Sequence, residues 1–188
     1  MNRVAVPADL VGEKVCLREA LLSDCNDHYL GWLNDIEVNR FLETRLAPQS
    51  IETITEFVHK TNSSSDSYLC AIIHLESGRH IGNIKVGPIH PHYRRADISY
   101  FIGDRSVWGQ GCSSEAVALM TRFTFRDLGV RKLKAFVREF NVGSRKVLER
   151  NDYMLEGVLK NEERYDENSE WEDIFVYGLL SGGYHPHQ

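Results

Sequence analysis

Cysteine is scarce and never clustered. Cys16, Cys25, Cys70 and Cys112 are widely separated, with no Cys-x-x-Cys pair, which excludes a zinc knuckle or a vicinal redox dithiol and points to four reduced thiols. No run of 18 uncharged apolar residues occurs, and the first ten residues carry Arg3 and Asp9 where a signal peptide needs an apolar core. The expectation is therefore a soluble cytoplasmic protein with no membrane partner. Positive charge is in deficit: 22 Lys and Arg against 27 Asp and Glu give a formal net charge of -5. A general nucleic-acid binder needs a broad cationic field, so no nucleic-acid partner is expected. Repeats, low-complexity tracts and Pro/Gly linkers are missing as well, so nothing divides the chain, and residues 1–188 are expected to form one domain with 181–188 as a flexible tail.

What is present is an ordinary globular composition. In 188 residues, 42% are hydrophobic and 26% charged, enough to bury a core. The first third reads as helical. A strand over Lys14–Glu19 precedes a helix capped by Ser23 or Asp24 and running through Tyr29, Leu30 and Leu33, and a second helix starts near Ser50 with Ile51, Ile54, Phe57 and Val58 on one face. The rest is richer in strands. Ser67–Leu75, His80–Val86 and Ala96–Ile102 are joined by short connections that favour antiparallel pairing. A helix over Ser113–Leu128 stops at Gly129, followed by a strand over Lys132–Arg138 and a short helix capped by Asn141. Met154–Lys160 and Glu172–Leu180 form the last pair, around an acidic loop at 161–168. This order gives an α/β (α+β) fold, a mixed and mostly antiparallel sheet with helices on both faces, not a repeated βαβ pattern.

The segment Trp108-Gly109-Gln110-Gly111-Cys112-Ser113-Ser114-Glu115-Ala116 leaves a strand, turns on two glycines and opens an amphipathic helix. Glycines let backbone N–H groups close on an anion, and the helix end adds unpaired donors and a positive dipole. The same residues also suit a plain tight turn with a serine cap. A dinucleotide fingerprint would need glycine where Ser114 stands, and no Walker A sequence occurs.

With these pieces in order, the chain resembles the GNAT N-acetyltransferase family, in particular its branch of ribosomal-protein N-terminal and amino-sugar acetyltransferases. The resemblance rests on Leu17-Arg18, on the strand from Ala96 to Ile102, on Trp108-Gly109-Gln110-Gly111 with Glu115-Ala116, and on Asn141-Val142-Gly143-Ser144 before Asn151-Asp152-Tyr153. It covers nearly the whole chain. Ser113 departs from the Gly or Ala of the family pattern. The resemblance implies a splayed sheet of about seven strands holding acetyl-CoA as cosubstrate. It places backbone groups of Phe101, Ile102 and Gly103 on the pantetheine arm, Gln110, Gly111, Cys112, Ser113 and Ser114 on the pyrophosphate, and Asn141 and Ser144 near the thioester. A helix cap is the plain alternative for Asn141.

Acetyl transfer requires a neutral amine, a site for the developing oxyanion and a proton for the leaving thiolate. A lysine-like amine of pKa about 10.4 is neutral in about one molecule in 2,500 at pH 7, a cost of roughly 4.6 kcal/mol, against about 1.4 for an amine of pKa near 8. A low-pKa acceptor is therefore favoured. Asp97 is the candidate base, and Ser144 and Tyr153 are candidate acids. The substrate-side segment Tyr29 to Leu42 resembles that of amino-sugar acetyltransferases, with Trp32, Arg40 and His90 as candidate acceptor contacts, and this tips the choice toward a nucleotide-linked amino sugar. Acetylation of a protein N-terminal α-amine and a non-catalytic acyl-CoA sensor are the alternatives. His90-x-His92 lacks companion ligands, so no metal is expected; a homodimer is left open.

Overall fold

Alternating side chains dictate the sheet. In a computed structural model that describes residues 3–8 and 10–184, β1 (Val15–Glu19), β2 (Tyr68–His74), β3 (His80–Val86) and β4 (Arg95–Ile102) pair antiparallel in succession. β5 (Lys132–Arg138) runs parallel to β4; β6 (Met154–Arg164) lies at the far edge, with β7 (Trp171–Leu180) inserted between it and β5. The seven strands form one mixed sheet with a single parallel pair, the architecture expected. β6 is longer than its apolar pattern indicated and absorbs the start of the acidic segment, because Arg164 and Glu163 continue the ladder opposite Trp171 and Glu172.

Two cores lie on opposite faces. Tyr68, Cys70 and Ile72 of β2 join Ile81, Ile84, Ile98 and Leu133 under α4 (Cys112–Arg126) and α5 (Val142–Glu149), whereas Leu69 points the other way. There it meets Tyr29, Trp32 and Leu33 of α1 (Asp27–Asn34), Val38 of α2 (Ile36–Asn39) and Ile54 and Val58 of α3 (Ile51–Ser63). α3 begins as expected, with Ser50 accepting from the Thr53 N–H. The α1 cap is Asn26 rather than Ser23 or Asp24. Asp24 is otherwise engaged: its oxygens accept from both terminal nitrogens of Arg18 at 2.7 Å and from the Leu21 N–H at 2.7 Å. Burial opposes the Asp24 charge, yet these partners hold its carboxyl below the usual range.

Residues 181–184, assigned above to a tail, form a short 3-10 turn over Ser181–Gly183, and the Tyr184 ring packs on Phe125 at 5.5 Å. Residues 185–188, with His185 and His187, lie outside the described residues. Among the described residues no helix is long and apolar enough to cross a membrane.

One carboxylate fixes the start of α4. Glu115 accepts the backbone N–H groups of Glu13, Lys14 and Val15 at 2.8, 2.8 and 2.7 Å, a nest that ties the helix to the first residues of β1. A Cβ on Gly12 would lie 2.3 Å from the Glu115 carboxyl carbon, so a side chain there would displace the carboxylate from this nest. Glu115→Ala leaves three donors without their acceptor, and we expect it to lower unfolding free energy by about 1–3 kcal/mol in urea titration. Glu115→Gln should lose less.

Candidate active site

The site begins where sheet pairing stops. β4 and β5 are paired only at Arg95–Lys132, Ala96–Leu133 and Asp97–Lys134; beyond that the strands diverge while each keeps its other neighbour. Hydrogen-bond parity tells which peptide groups face the gap. Gly87 N–H donates to Asp97 O and Gly103 N–H to Ile81 O, so odd-numbered β4 groups are taken by β3. The gap receives those of Tyr100 and Ile102 and the carbonyl of Ile98, whose N–H lies in the last paired rung opposite Lys134. This corrects the expectation for Phe101, whose peptide groups point to β3, and for the Gly103 N–H, which Ile81 O accepts. Ile102 stays on the gap, although its carbonyl also accepts from Trp108 Nε1 at 2.9 Å. Ser181 N–H to Arg131 O and Glu139 N–H to Asp173 O set the same parity on β5, leaving Phe136 facing the gap.

At one end of the gap stands the glycine turn. Gly109 and Gly111 have φ of 76° and 90°, left-handed values that favour glycine. Gly111 is the N-cap of α4 and supplies no side-chain acceptor, so the N–H groups of Cys112, Ser113 and Ser114 have no intrahelical partner. Lys14 donates from Nζ to the Gln110 carbonyl at 2.7 Å, and a Cβ on Gly111 would come within 3.2 Å of that ammonium. Backbone donors, a helix end and a cation thus converge on a surface stripped of side chains, a fit for a diphosphate. The Cys112 thiol is buried and raised by that burial, away from nucleophilic use. Asn151 donates to the Ser114 hydroxyl and carbonyl, both at 3.1 Å, and to Val147 O at 2.8 Å; the Ser114 side chain is therefore committed to the α4–α5 contact, and only its N–H serves the turn. Gln110 folds its amide back onto Ser106 O.

Across the gap, Asn141 caps α5 by accepting the Ser144 N–H at 3.1 Å, the plain role weighed above. Ser144 Oγ lies 2.9 Å from Tyr100 Oη, so a β4 side chain reaches over the gap to the first turn of α5. Burial raises the Tyr100 hydroxyl well above its ordinary value. Tyr153 does not join them: its side chain is buried in the α4 face, with its hydroxyl 2.9 Å from Thr121 Oγ1. The aromatic residue spelled next to the helix is a core residue, and Tyr100 is the one beside Ser144.

On the α1–α3 face the gap opens into a cleft of 510 Å³. Tyr29, Asn83, Asp97, Ser99, Tyr100, Asn141 and Arg138 are among its walls. Asp97 sits 3.3 Å from Lys134 Nζ at the last paired position. Asn83 is 3% exposed, and its carbonyl oxygen lies 3.1 Å from His80 Nε2. Burial lowers the His80 pKa, which favours the neutral ring. Trp32 is not on this wall. At 6% exposure it is wedged against Gly103, where a Cβ would come within 2.0 Å of its ring, and against Phe101 and His80. His90 is also elsewhere, exposed in the β3–β4 connection, with its ring centroid 4.4 Å from that of Tyr93. Arg40 lines an adjoining groove and lies over Phe41 at 4.4 Å. Lys14, Tyr100, Asn83 and Arg138 escaped sequence reading; only Tyr100 left a usable signal, its even position beside Ile98 and Ile102. Among the described residues no group of three or more His, Cys, Asp or Glu comes together.

Residues 14–154 match the family described as an acetyltransferase (GNAT) domain. The chain is 26% identical over 179 residues to the uncharacterized N-acetyltransferase p20 of Bacillus licheniformis, covering 93% of this chain and 97% of that one. It is 30% identical over 129 residues to the probable N-acetyltransferase YjcK of Bacillus subtilis, covering 68% and 69%. In fold it is similar to the spermidine N-acetyltransferase of Vibrio cholerae solved with CoA and spermine, at a TM-score of 0.79 and 18% identity, over 91% of this chain and 98% of that one.

Removing the hydroxyl that spans the gap should loosen it. Tyr100→Phe is expected to cost about 0.5–1.5 kcal/mol of stability and to speed amide hydrogen exchange in the first turn of α5, with β1–β3 exchanging as before.

Proposed function

Because the chain belongs to the acetyltransferase (GNAT) family and is an N-acetyltransferase acting on amines, we propose that it moves acetyl from acetyl-CoA directly to a small-molecule primary amine, such as a nucleotide-linked amino sugar. The observation that carries this reading is the opened β4–β5 seam, with the diphosphate-compatible turn at one end and a 510 Å³ cleft, walled in part by Tyr100, Phe136 and Asn141 of the seam itself, opening on the α1–α3 face. Two substrates can then meet through the sheet without exchanging places.

In this reading the N–H groups of Cys112, Ser113 and Ser114, with Lys14, hold the diphosphate, and the gap-facing peptide groups of Ile98, Tyr100, Ile102 and Phe136 replace lost sheet partners with the amides of the pantetheine arm. The acetyl group lies beside Asn141 and Ser144. The acceptor enters from the cleft, where Asp97 stands to take the amine proton directly or through water. Attack forms the N–C bond and breaks the C–S bond; the Ser144 hydroxyl, oriented by Tyr100, donates a hydrogen bond to the departing thiolate, which takes its proton from water while Asp97 carries the amine's proton away. Tyr100 is a positioning residue. Its raised pKa keeps the hydroxyl protonated throughout the neutral range.

The test is release of free CoA from acetyl-CoA across a panel of amines. Amino sugars should give sustained release above hydrolysis; release with N-terminal peptides alone would sink the acceptor choice. The rate should rise with pH through the pKa of the acceptor amine, because only the neutral amine attacks, and then level. Gly111→Asp places bulk and negative charge in the turn, and calorimetry should show acetyl-CoA binding weakened by about tenfold or more, an energy of about 1.4 kcal/mol. Wild-type affinity in the folded variant would contradict the placement.

A further inference from the structure

A second groove adjoins the acceptor cleft, and we propose that it holds the nucleotide carrier of an activated acceptor, the base against Phe140 and Tyr165 and the diphosphate against Arg40 and Arg138. This rests on the amino-sugar reading above and extends it to named residues. The groove measures 290 Å³ and shares two wall residues, Phe41 and Arg138, with the cleft. One elongated ligand can therefore occupy both.

Arg138 joins the two cavities. It projects from β5 at 5% exposure and donates from Nε to Glu172 and from Nη1 to Glu163, each at 3.0 Å, yet its Nη2 has no partner. A guanidinium held by two carboxylates with one nitrogen left over is an oriented donor, and buried donors without acceptors are disfavoured unless a ligand completes them. Arg45 supplies another: its Nε, in the cleft wall, is also buried and unpartnered. Phosphate oxygens suit such planar donors. Beyond the shared wall the chemistry changes. Phe140 is 62% exposed at the end of β5, Tyr165 faces the same groove, and the exposed Arg40 lies over Phe41. Aromatic faces with a neighbouring guanidinium suit a nucleobase, whose π-face stacks whatever its edge. The order of groups along the walls, polar cleft, shared arginine, aromatic groove, is the order of groups in a sugar–diphosphate–nucleoside. Arg138 is shared between Glu163 and Glu172, which leaves that triad with one net negative charge, and Glu37 at the start of α2 adds a second; Arg40 and Arg45 on the same walls offset the two.

The test compares one amino sugar presented in two forms, linked to a nucleoside diphosphate and as its methyl glycoside, with CoA release as readout. Wild-type protein should prefer the linked form in kcat/KM, and UDP, dTDP, GDP or CDP alone should inhibit competitively against the acceptor but not against acetyl-CoA. Phe140→Ala and Arg40→Gln should each reduce the preference about tenfold, the scale of a lost stacking platform or phosphate contact, and weaken nucleotide inhibition in parallel. Equal use of both forms by the wild-type protein, or no inhibition by any of the four nucleotides, would overturn the subsite while leaving the amino-sugar reading in place. No release with either form, alongside release with peptides, would overturn both.

Discussion

Everything in this molecule depends on a hydrogen-bond ladder that is not completed. β4 and β5 share three residue pairs and then part, although each continues along its other neighbour. Unpaired peptide groups inside a sheet are costly unless something else satisfies them, so the fold must hold the strands apart by force. Packing sets the width on both faces: Trp32 lies against Gly103 on one, and the α4–α5 clasp of Asn151 lies on the other, where the Tyr100–Ser144 contact limits how far the two sides part. The opening is a product of packing rather than of looseness. One lip, β4, belongs to the β3–β4 hairpin; the other, β5, pairs with β7 across α5 and β6, and apolar residues of both lips enter the same core.

The contributions of the two faces are unlike. The α4 face supplies fixed charge and backbone donors, arranged by Gly111, Lys14 and the Glu115 nest. The α1–α3 face supplies side chains of mixed sign: Glu43, Arg45, Lys85, Asp97, Arg138 and Glu163 all reach its cleft. A surface of the first kind recognises one chemical group well. A surface of the second kind reads a shape and a pattern of polar contacts, and its selectivity rests on which donors are left unpaired.

Local chemistry was legible in the sequence, and long-range chemistry was not. Gly109 and Gly111 announce their left-handed backbone, Asn141 and Ser50 announce their caps, and β3 and β5 were bounded by their alternation. The order of elements with short connections was enough for the sheet. Peptide parity in β4 was misread because it depends on which neighbour takes each bond, which residue types do not encode. Trp32 and Tyr153 were misread for another reason: an aromatic residue on an amphipathic face looks the same whether it meets a ligand or the core, and here both meet the core. Lys14, Glu115 and Arg138 act across large separations in the chain, and only the folded arrangement brings them together.

The clamp on Arg138 has a further consequence. Both of its carboxylate partners come from the ends of the β6–β7 hairpin, Glu163 before the turn and Glu172 after it, while the glycine turn draws nothing from that hairpin. Lengthening, shortening or recharging the hairpin tip would re-aim one guanidinium without disturbing the machinery of transfer. Under the acceptor subsite proposed above, what the protein modifies can thus be altered separately from the chemistry it performs, by changes confined to an exposed hairpin tip.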